Sequence, residues 1–174
     1  ASKPVATPDD LKGMKIRCLE NNTYMNTYSA LGANPTPMAW SETIPGLQQK
    51  TVEGLDASIS VLYTSGFADI CDYLSLTNQF FAAILICISE TEWNKLTEQQ
   101  QTWLREAATE ACALQADFQV QADEDNLAKM EEAGMTIIRD VDYDAFKAKL
   151  GDFYGSMKDS IGAEYVDALF AAIS

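Results

Sequence analysis

The sequence predicts an α/β fold, because runs typical of strands alternate with stretches typical of helices along the chain. Apolar or alternating runs occur at 14–18, 82–89 and 134–139. Capping residues and helical periodicity separate these runs. The chain has 174 residues, of which 47% are hydrophobic and 22% charged, so it can bury the core that such a fold requires.

The first elements follow from turn and capping residues. A Thr-Pro pair opens a helical or tight turn over 7–13. Apolar and basic residues then alternate over 14–18, which is typical of a half-buried strand. A helix is predicted over about 23–31, because Gly32 supplies a stop at its C-terminal end.

Prolines and small residues mark the boundaries of the next elements. The stretch NPTPMAW is predicted to be extended, and Ser41 to cap a helix that continues to about Lys50. GLDASIS is predicted to run from a short strand into a loop, and a helical stretch is expected over 60–72. The apolar run at 82–89 is too short to span a bilayer and is predicted to be a buried strand.

A long helix is predicted from Thr97 to Ala133. It begins with a capping box, TEQQ, contains neither proline nor glycine, and is stopped by Gly134. The first half carries an apolar stripe formed by Trp103, Leu104, Ala107, Ala111, Leu114 and Phe118. Beyond Gln121 the sequence becomes acidic, so we expect the helix to pass from one packing environment to another. The strand at 134–139 and two amphipathic helices complete the chain.

Composition excludes several classes of function. The formal net charge of −14 disfavours nucleic acid and anionic membrane surfaces, which require a basic patch. The chain lacks histidine, which excludes Ser-His-Asp and Cys-His catalysis. Its four cysteines have no metal-ligand spacing, and neither a metal nor another cofactor is predicted. We expect Cys87 and Cys112 to be buried free thiols, although one disulfide is left open.

Three motifs carry a resemblance to a known family. The stretches DLKGMKIR, LGANPTPMAWSE and LTEQQQ…EAA occur in order over nearly the whole chain. Together they resemble the C-terminal portion of the substrate-binding protein of tripartite ATP-independent periplasmic (TRAP) transporters. The resemblance implies two α/β lobes joined by a long hinge helix, with the ligand between them. We therefore expect a periplasmic-binding-protein-like lobe with a long hinge helix, from which the N-terminal lobe is largely missing.

The resemblance also implies a division of the chain. Residues 1–81 are expected to form the first part of the second, C-terminal lobe. Residues 82–122 would supply a strand and a helix that complete the first lobe of the intact fold. Residues 123–174 would return to the second lobe. Without most of its partner lobe, the chain is expected to bind ligand weakly and to favour a dimer or domain exchange.

The function implied by the resemblance is transport and not catalysis. An extracytoplasmic solute-binding protein captures an organic acid through its carboxylate and delivers it to the TRAP membrane subunits. The expected location is periplasmic or extracytoplasmic, with the signal peptide not present in this chain. Two alternatives stay open: a stand-alone ligand-sensing or interaction module of the same fold, and an enzyme with paired carboxylates. The sequence does not identify the organic acid.

Two residues match the ligand-contacting positions of the family most closely. Arg17 is one of three arginines in an acidic chain, and its guanidinium suits bidentate pairing with a carboxylate. A surface arginine paired with Glu20 is the alternative. Trp40 follows a proline-fixed segment and matches the aromatic residue that lines the family's cleft; packing in the core is its alternative.

Three further binding residues are expected from the positions that their segments occupy in the family. Ser58 lies in EGLDASIS, the segment in which the family usually has an asparagine that binds the ligand; that position is Ala57 here. Ser58 or Asp56 would substitute for the asparagine, although Asp56 would repel a ligand carboxylate unless a cation lay between them. Asn78 lies where the family crosses into the first lobe, and Asn22 follows the strand that carries Arg17. Loop asparagines also cap helices, so that role is left open for Asn22.

Overall fold

The computed structural model describes residues 1–81, 84–151 and 153–173 and confirms the α/β class. A short 3-10 helix, Pro8–Leu11, precedes the first strand. The strands are β1 (Lys15–Cys18), β2 (Asn34–Pro37), β3 (Gly54–Leu55), β4 (Tyr73–Ser75) and β5 (Thr136–Ile138). The helices are α1 (Asn22–Ala30), α2 (Trp40–Gln48), α3 (Ile59–Thr64), α4 (Glu90–Trp93), α5 (Glu98–Glu132), α6 (Tyr143–Leu150), α7 (Phe153–Ile161) and α8 (Ala163–Ile173).

The described strands form two small parallel sheets. In the first sheet β1 lies between β2 and β3, and Arg17 pairs with Thr36 on one side and Leu55 on the other. In the second sheet β4 pairs with β5. Because the three strands of the first sheet are parallel, the residues that follow them meet at one edge, where parallel sheets bind ligands.

Two hydrophobic clusters stabilise these layers. The first packs the 3-10 helix, β1, α1 and α6 together, and its members are Val5, Leu11, Met14, Ile16, Cys18, Tyr28, Leu31, Ala33, Val141 and Phe146. The second joins α3 to the end of α5 and consists of Leu62, Phe67, Cys71, Leu127, Met130 and Met135. Leu55 and Ala57 pack against the second cluster, which anchors the loop between β3 and α3 on that side.

Several boundaries differ from the sequence prediction. Ser41 does not cap α2, because Ala39 is the last extended residue and Trp40 already begins the helix. The helix predicted over 60–72 stops at Thr64, since Gly66 takes a left-handed conformation with φ of 75°. A strand, β4, follows it, and three helices instead of two end the chain.

The strand predicted over 82–89 is wrong for its described part. Ala82 and Ala83 lie outside the described residues, and 84–89 adopt no regular structure. Their side chains are exposed, with Ile84 94% and Leu85 78% accessible. A strand needs a neighbour for its backbone hydrogen bonds, and within the described residues none pairs with this run.

The long helix α5 is confirmed, together with its capping box at Thr97 and the stop at Gly134, where φ is 100°. Its apolar first half is exposed, however: Trp103 is 59% and Phe118 66% accessible. The acidic second half supplies the buried residues, among them Met130. The packing environment therefore changes along the helix, as predicted, but the apolar half is the one without cover from the described residues.

All four cysteines are free. Cys18 and Cys71 are buried, whereas Cys87 and Cys112 are exposed, contrary to the prediction that both are buried. The reason is that their segments, the apolar run 84–89 and the first half of α5, are themselves exposed. In the part of the chain that the structure describes, no helix is long and apolar enough to cross a membrane.

Candidate functional site

Arg17 lies on the central strand β1 and is almost completely buried, with 3% of its surface accessible. Its Nε donates a hydrogen bond of 3.1 Å to the carbonyl oxygen of Met38, just beyond β2. The salt bridges of the described residues involve other side chains, and Glu20 is not among the partners of Arg17. Arg17 is thus a buried guanidinium that is oriented by the backbone and available to an anion.

Trp40 covers the guanidinium from the first turn of α2. Its ring centroid lies 5.1 Å from Cζ of Arg17, within the range of a cation–π contact. The ring also packs edge-on against Phe67 at 5.5 Å between centroids, while 40% of the residue remains accessible. Trp40 therefore belongs in part to the core and in part to the surface of the site.

Asp56 follows β3 directly and faces the same place. Burial raises the pKa of the Asp56 carboxyl to about 6, and the positive charge of Arg17 partly opposes that rise. A backbone hydrogen bond and the hydroxyl of Tyr28 also lower this pKa. The site thus contains a buried cation and a half-buried acid that together line one small cavity, of about 180 Å³.

That cavity is lined by Arg17, Leu19, Tyr24, Trp40, Asp56 and Ala57. A larger cavity of about 460 Å³ adjoins it and shares Tyr24, Asp56 and Ala57 as a common wall. Ser58 and Asn78 line the larger cavity. The five residues singled out in the sequence are therefore divided: two in the small cavity, two in the large one, and Asn22 in neither.

Asn22 is the first residue of α1 and is exposed, whereas its neighbour Asn21 is the cap and accepts a hydrogen bond of 2.8 Å from the Thr23 amide. Asn78 has a left-handed backbone, with φ of 47°, and its side chain donates to the Tyr143 hydroxyl at 3.1 Å. Asn78 thus has a local structural contact, whereas the capping role that was left open for Asn22 belongs to Asn21; a ligand-binding role for Asn22 and Asn78 stays a prediction.

A polar network anchors the helix that follows the site loop. Ser60 Oγ donates to Asp123 Oδ1 at 2.9 Å and accepts from Gln119 Nε2 at 2.8 Å. The side-chain amide of Asn126, a residue that is 9% accessible, donates to Ser60 Oγ at 3.3 Å. This network joins α3 to α5 and thereby holds the loop that carries Asp56.

Sequence reasoning did not assign Tyr24 and Tyr28, and considered Asp56 only as a substitute for a missing asparagine. The two tyrosines are four residues apart on α1, so they lie on one face of the helix. Tyr28 is buried, and its hydroxyl accepts a hydrogen bond of 2.5 Å from Gln79. A pair of tyrosines at this spacing, in a helix that follows an arginine-bearing strand, was the available signal. Among the described residues, no cluster of three metal-ligating side chains is present.

Comparison with known proteins shows the family of the chain. Residues 1–160 match the model of bacterial extracellular solute-binding protein, family 7. A solute-binding protein of Chromohalobacter salexigens is 30% identical over 151 residues, which is 87% of this chain and 45% of that protein. The 2,3-diketo-L-gulonate-binding periplasmic protein of Escherichia coli is 34% identical over 86% of this chain and 45% of its own length.

Solved structures of TRAP periplasmic solute-binding proteins share the fold. One from a Polaromonas species, bound to D-erythronate, has a TM-score of 0.88 at 29% identity and covers 97% of this chain and 55% of its own. One from Ochrobacterium anthropi, bound to L-fuconate, has a TM-score of 0.81 at 37% identity, with coverage of 94% and 56%. The chain thus spans about half the length of the relatives that it matches.

Proposed function

The chain belongs to family 7 of the bacterial extracellular solute-binding proteins, and from this premise we propose that it forms the arginine-bearing wall of a cleft for an organic acid. In this proposal the carboxylate of the acid pairs with Arg17. Trp40 covers the complex on one side, and Ser58 and Asn78 contact the part of the ligand that extends into the larger cavity.

The burial of Arg17 without an ion pair among the described residues carries the proposal. Removing a guanidinium from water is costly unless an anion and further hydrogen bonds compensate for its lost hydration. Within the described residues, Arg17 donates a hydrogen bond to a carbonyl and lies against the ring of Trp40. A bound carboxylate would supply the missing anion with two parallel hydrogen bonds, the geometry that an arginine fork favours.

The same proposal assigns a place in transport. Relatives are periplasmic binding proteins, so we assign a periplasmic location and delivery of the acid to TRAP membrane subunits. Binding would shift the protein to a closed form in which ligand contacts both sides of the cleft. The relatives that the chain matches are named for the solutes that they bind and not for a reaction that they catalyse. We therefore propose no enzymatic activity.

The exposed apolar surfaces support an arrangement in which a second body covers them. They comprise the segment 84–88, with Ile84 94% accessible, and the first half of α5, with Phe118 66% accessible. Exposed apolar area of this extent marks an interface. We propose the division 1–81, 82–122 and 123–174 on this basis, with 82–122 belonging to the opposite lobe. Without that lobe the chain would bind acids weakly and tend to dimerise or exchange segments.

Calorimetry on the gene product in full, as encoded, tests the assignment of Arg17. The ligands are D-erythronate, L-fuconate and D-glucuronate, and the variants are Arg17→Lys and Arg17→Ala. We expect Arg17→Ala to weaken binding at least about 100-fold, because two charge-assisted hydrogen bonds are lost at roughly 1.5–3 kcal/mol each. Arg17→Lys should retain only part of the affinity that Arg17→Ala loses, since lysine lacks the planar fork.

Arg139→Ala is the matched control. Arg139 is exposed and pairs with Glu131 at 3.3 Å, so its loss changes the net charge equally without touching the site. Binding that survives Arg17→Ala unchanged would refute the assignment. The 174-residue chain, measured in parallel, should bind the same acids more weakly than the gene product in full, unless the two are identical.

A further inference from the structure

We propose that Asp56 determines which acids the site accepts: the acid held by Arg17 also presents a hydroxyl or ammonium donor to the Asp56 carboxylate. This inference rests on the proposed function and narrows it to a ligand class. It separates hydroxy and amino acids, which satisfy both side chains, from simple monocarboxylates and dicarboxylates.

The backbone places the two charged side chains at one edge of the sheet. Arg17 and Leu55 are paired in the register of the adjacent parallel strands β1 and β3, and Asp56 is the next residue after Leu55. Both Arg17 and Asp56 line the cavity of about 180 Å³. A ligand small enough to enter this cavity with its carboxylate on Arg17 therefore comes close to Asp56.

The two side chains do not neutralise each other by direct contact. The salt bridges among the described residues do not include an Arg17–Asp56 pair. The Tyr28 hydroxyl accepts a hydrogen bond from Gln79 and donates its own proton to the Asp56 carboxylate, which fills one acceptor site of that carboxylate. An ionised carboxylate has about four acceptor sites, so Asp56 retains acceptors that a ligand donor can occupy.

The electrostatic environment of Asp56 agrees with an unfilled acceptor. Burial is the main cause that raises the pKa of its carboxyl, and the nearby cation and hydrogen bonds only partly oppose it. Donors from a ligand would stabilise the ionised form further. A second ligand carboxylate would do the opposite, because it would bring a like charge against a half-buried anion.

Matched acids of equal chain length test the inference by calorimetry at neutral pH on the gene product in full. D-erythronate is compared with butanoate and succinate, and L-fuconate with hexanoate and adipate. Wild-type protein should bind at least one hydroxy acid about tenfold or more tightly than both of its counterparts, because a site that hydrogen-bonds a hydroxyl rejects analogues without it. Asp56→Asn should reduce the preference for the hydroxy acid over the dicarboxylate about tenfold or more, mainly because the dicarboxylate binds more tightly.

Asp69→Asn is the control, since Asp69 is exposed and the substitution changes the net charge equally. Its ratios of affinity should equal those of the wild type. A purely structural role of Asp56 would weaken all acids together and leave the ratios unchanged, which would overturn the inference. Wild-type protein that binds dicarboxylates as tightly as hydroxy acids would overturn it as well.

Failure of the proposed function gives a different pattern. If acids bind but Arg17→Ala has no effect, or if no acid of the panel binds, the carboxylate site itself is wrong and the inference falls with it. If binding depends on Arg17 but Asp56→Asn leaves the ratios of affinity between the matched acids unchanged, only the inference about Asp56 is overturned.

Discussion

Replacement of Asp56 by asparagine should stabilise the ligand-free protein at neutral pH. The pKa of the Asp56 carboxyl rises from 3.8 to about 6 on folding, chiefly because the group is buried. Its ionised form is therefore less favourable in the folded than in the unfolded state. Asparagine has nearly the same shape and removes the ionisation, while its carbonyl oxygen can still accept from the Tyr28 hydroxyl.

The magnitude and its pH dependence follow from the two pKa values. Their difference corresponds to about 3 kcal/mol of unfolding free energy above pH 7. Because the folded-state pKa is the higher one, burial of Asp56 costs the wild type no stability below about pH 4. As the pH rises through 6, the free energy of unfolding falls by about this amount. The free energy of unfolding of Asp56→Asn should thus exceed that of the wild type by about 3 kcal/mol at pH 7.5, and the two values should converge near pH 4.

Urea unfolding followed by circular dichroism at pH 4, 5, 6 and 7.5 measures this difference, and thermal melts should show a gain of roughly 6–12 °C at pH 7.5. Asp69→Asn, on the exposed surface, should change the free energy of unfolding by less than about 0.5 kcal/mol. The reasoning is refuted if Asp56→Asn is no more stable than the wild type at pH 7.5. A gain that does not change between pH 4 and 7.5 would equally show that ionisation of Asp56 is not its cause.

Two further predictions concern the frame of the site and the exposed surface. Ser60→Ala should lower the free energy of unfolding by about 1–3 kcal/mol in urea, because the buried amide of Asn126 loses its acceptor; an effect no larger than that of the exposed Ser29→Ala would contradict the role of the network. Two of the four thiols, Cys87 and Cys112, should react rapidly with a thiol reagent in the native protein. Cys18 and Cys71 should react only on unfolding, since both are buried and burial raises the pKa of the Cys18 thiol; four fast thiols, or none, would contradict the described exposure.

Local chemistry explains which parts of the fold could be predicted from the sequence. The capping box at Thr97 and the stop at Gly134 define α5 without reference to the rest of the chain. The alternation over 14–18 likewise predicts β1, whose observed bounds are Lys15–Cys18. Each signal lies within a few residues of the element that it determines, so no tertiary partner is needed to interpret it.

The run 84–89 shows where such prediction ends. Its apolar composition is typical of a buried strand, yet Ile84 is 94% accessible. A strand exists only when a neighbouring strand accepts and donates its backbone hydrogen bonds. Composition predicts the tendency to be buried, but the presence of a partner depends on what the rest of the fold brings to that place.

The candidate site divides in the same way. The resemblance carried by the surrounding motifs singled out Arg17 and Trp40 as candidates, and the bidentate fork and the flat aromatic ring, which are properties of single side chains, agree with that choice. Tertiary structure decided that Arg17 is buried without an ion pair among the described residues, and that Asp56 and Tyr28 join it. Burial and proximity arise from the parallel pairing of β1 with β3 and from the packing of α1, which join residues up to about forty positions apart. The sequence by itself therefore determined the candidate anchor, and only the fold determined its electrostatic neighbours, since charge interactions depend on distance and desolvation and not on position along the chain.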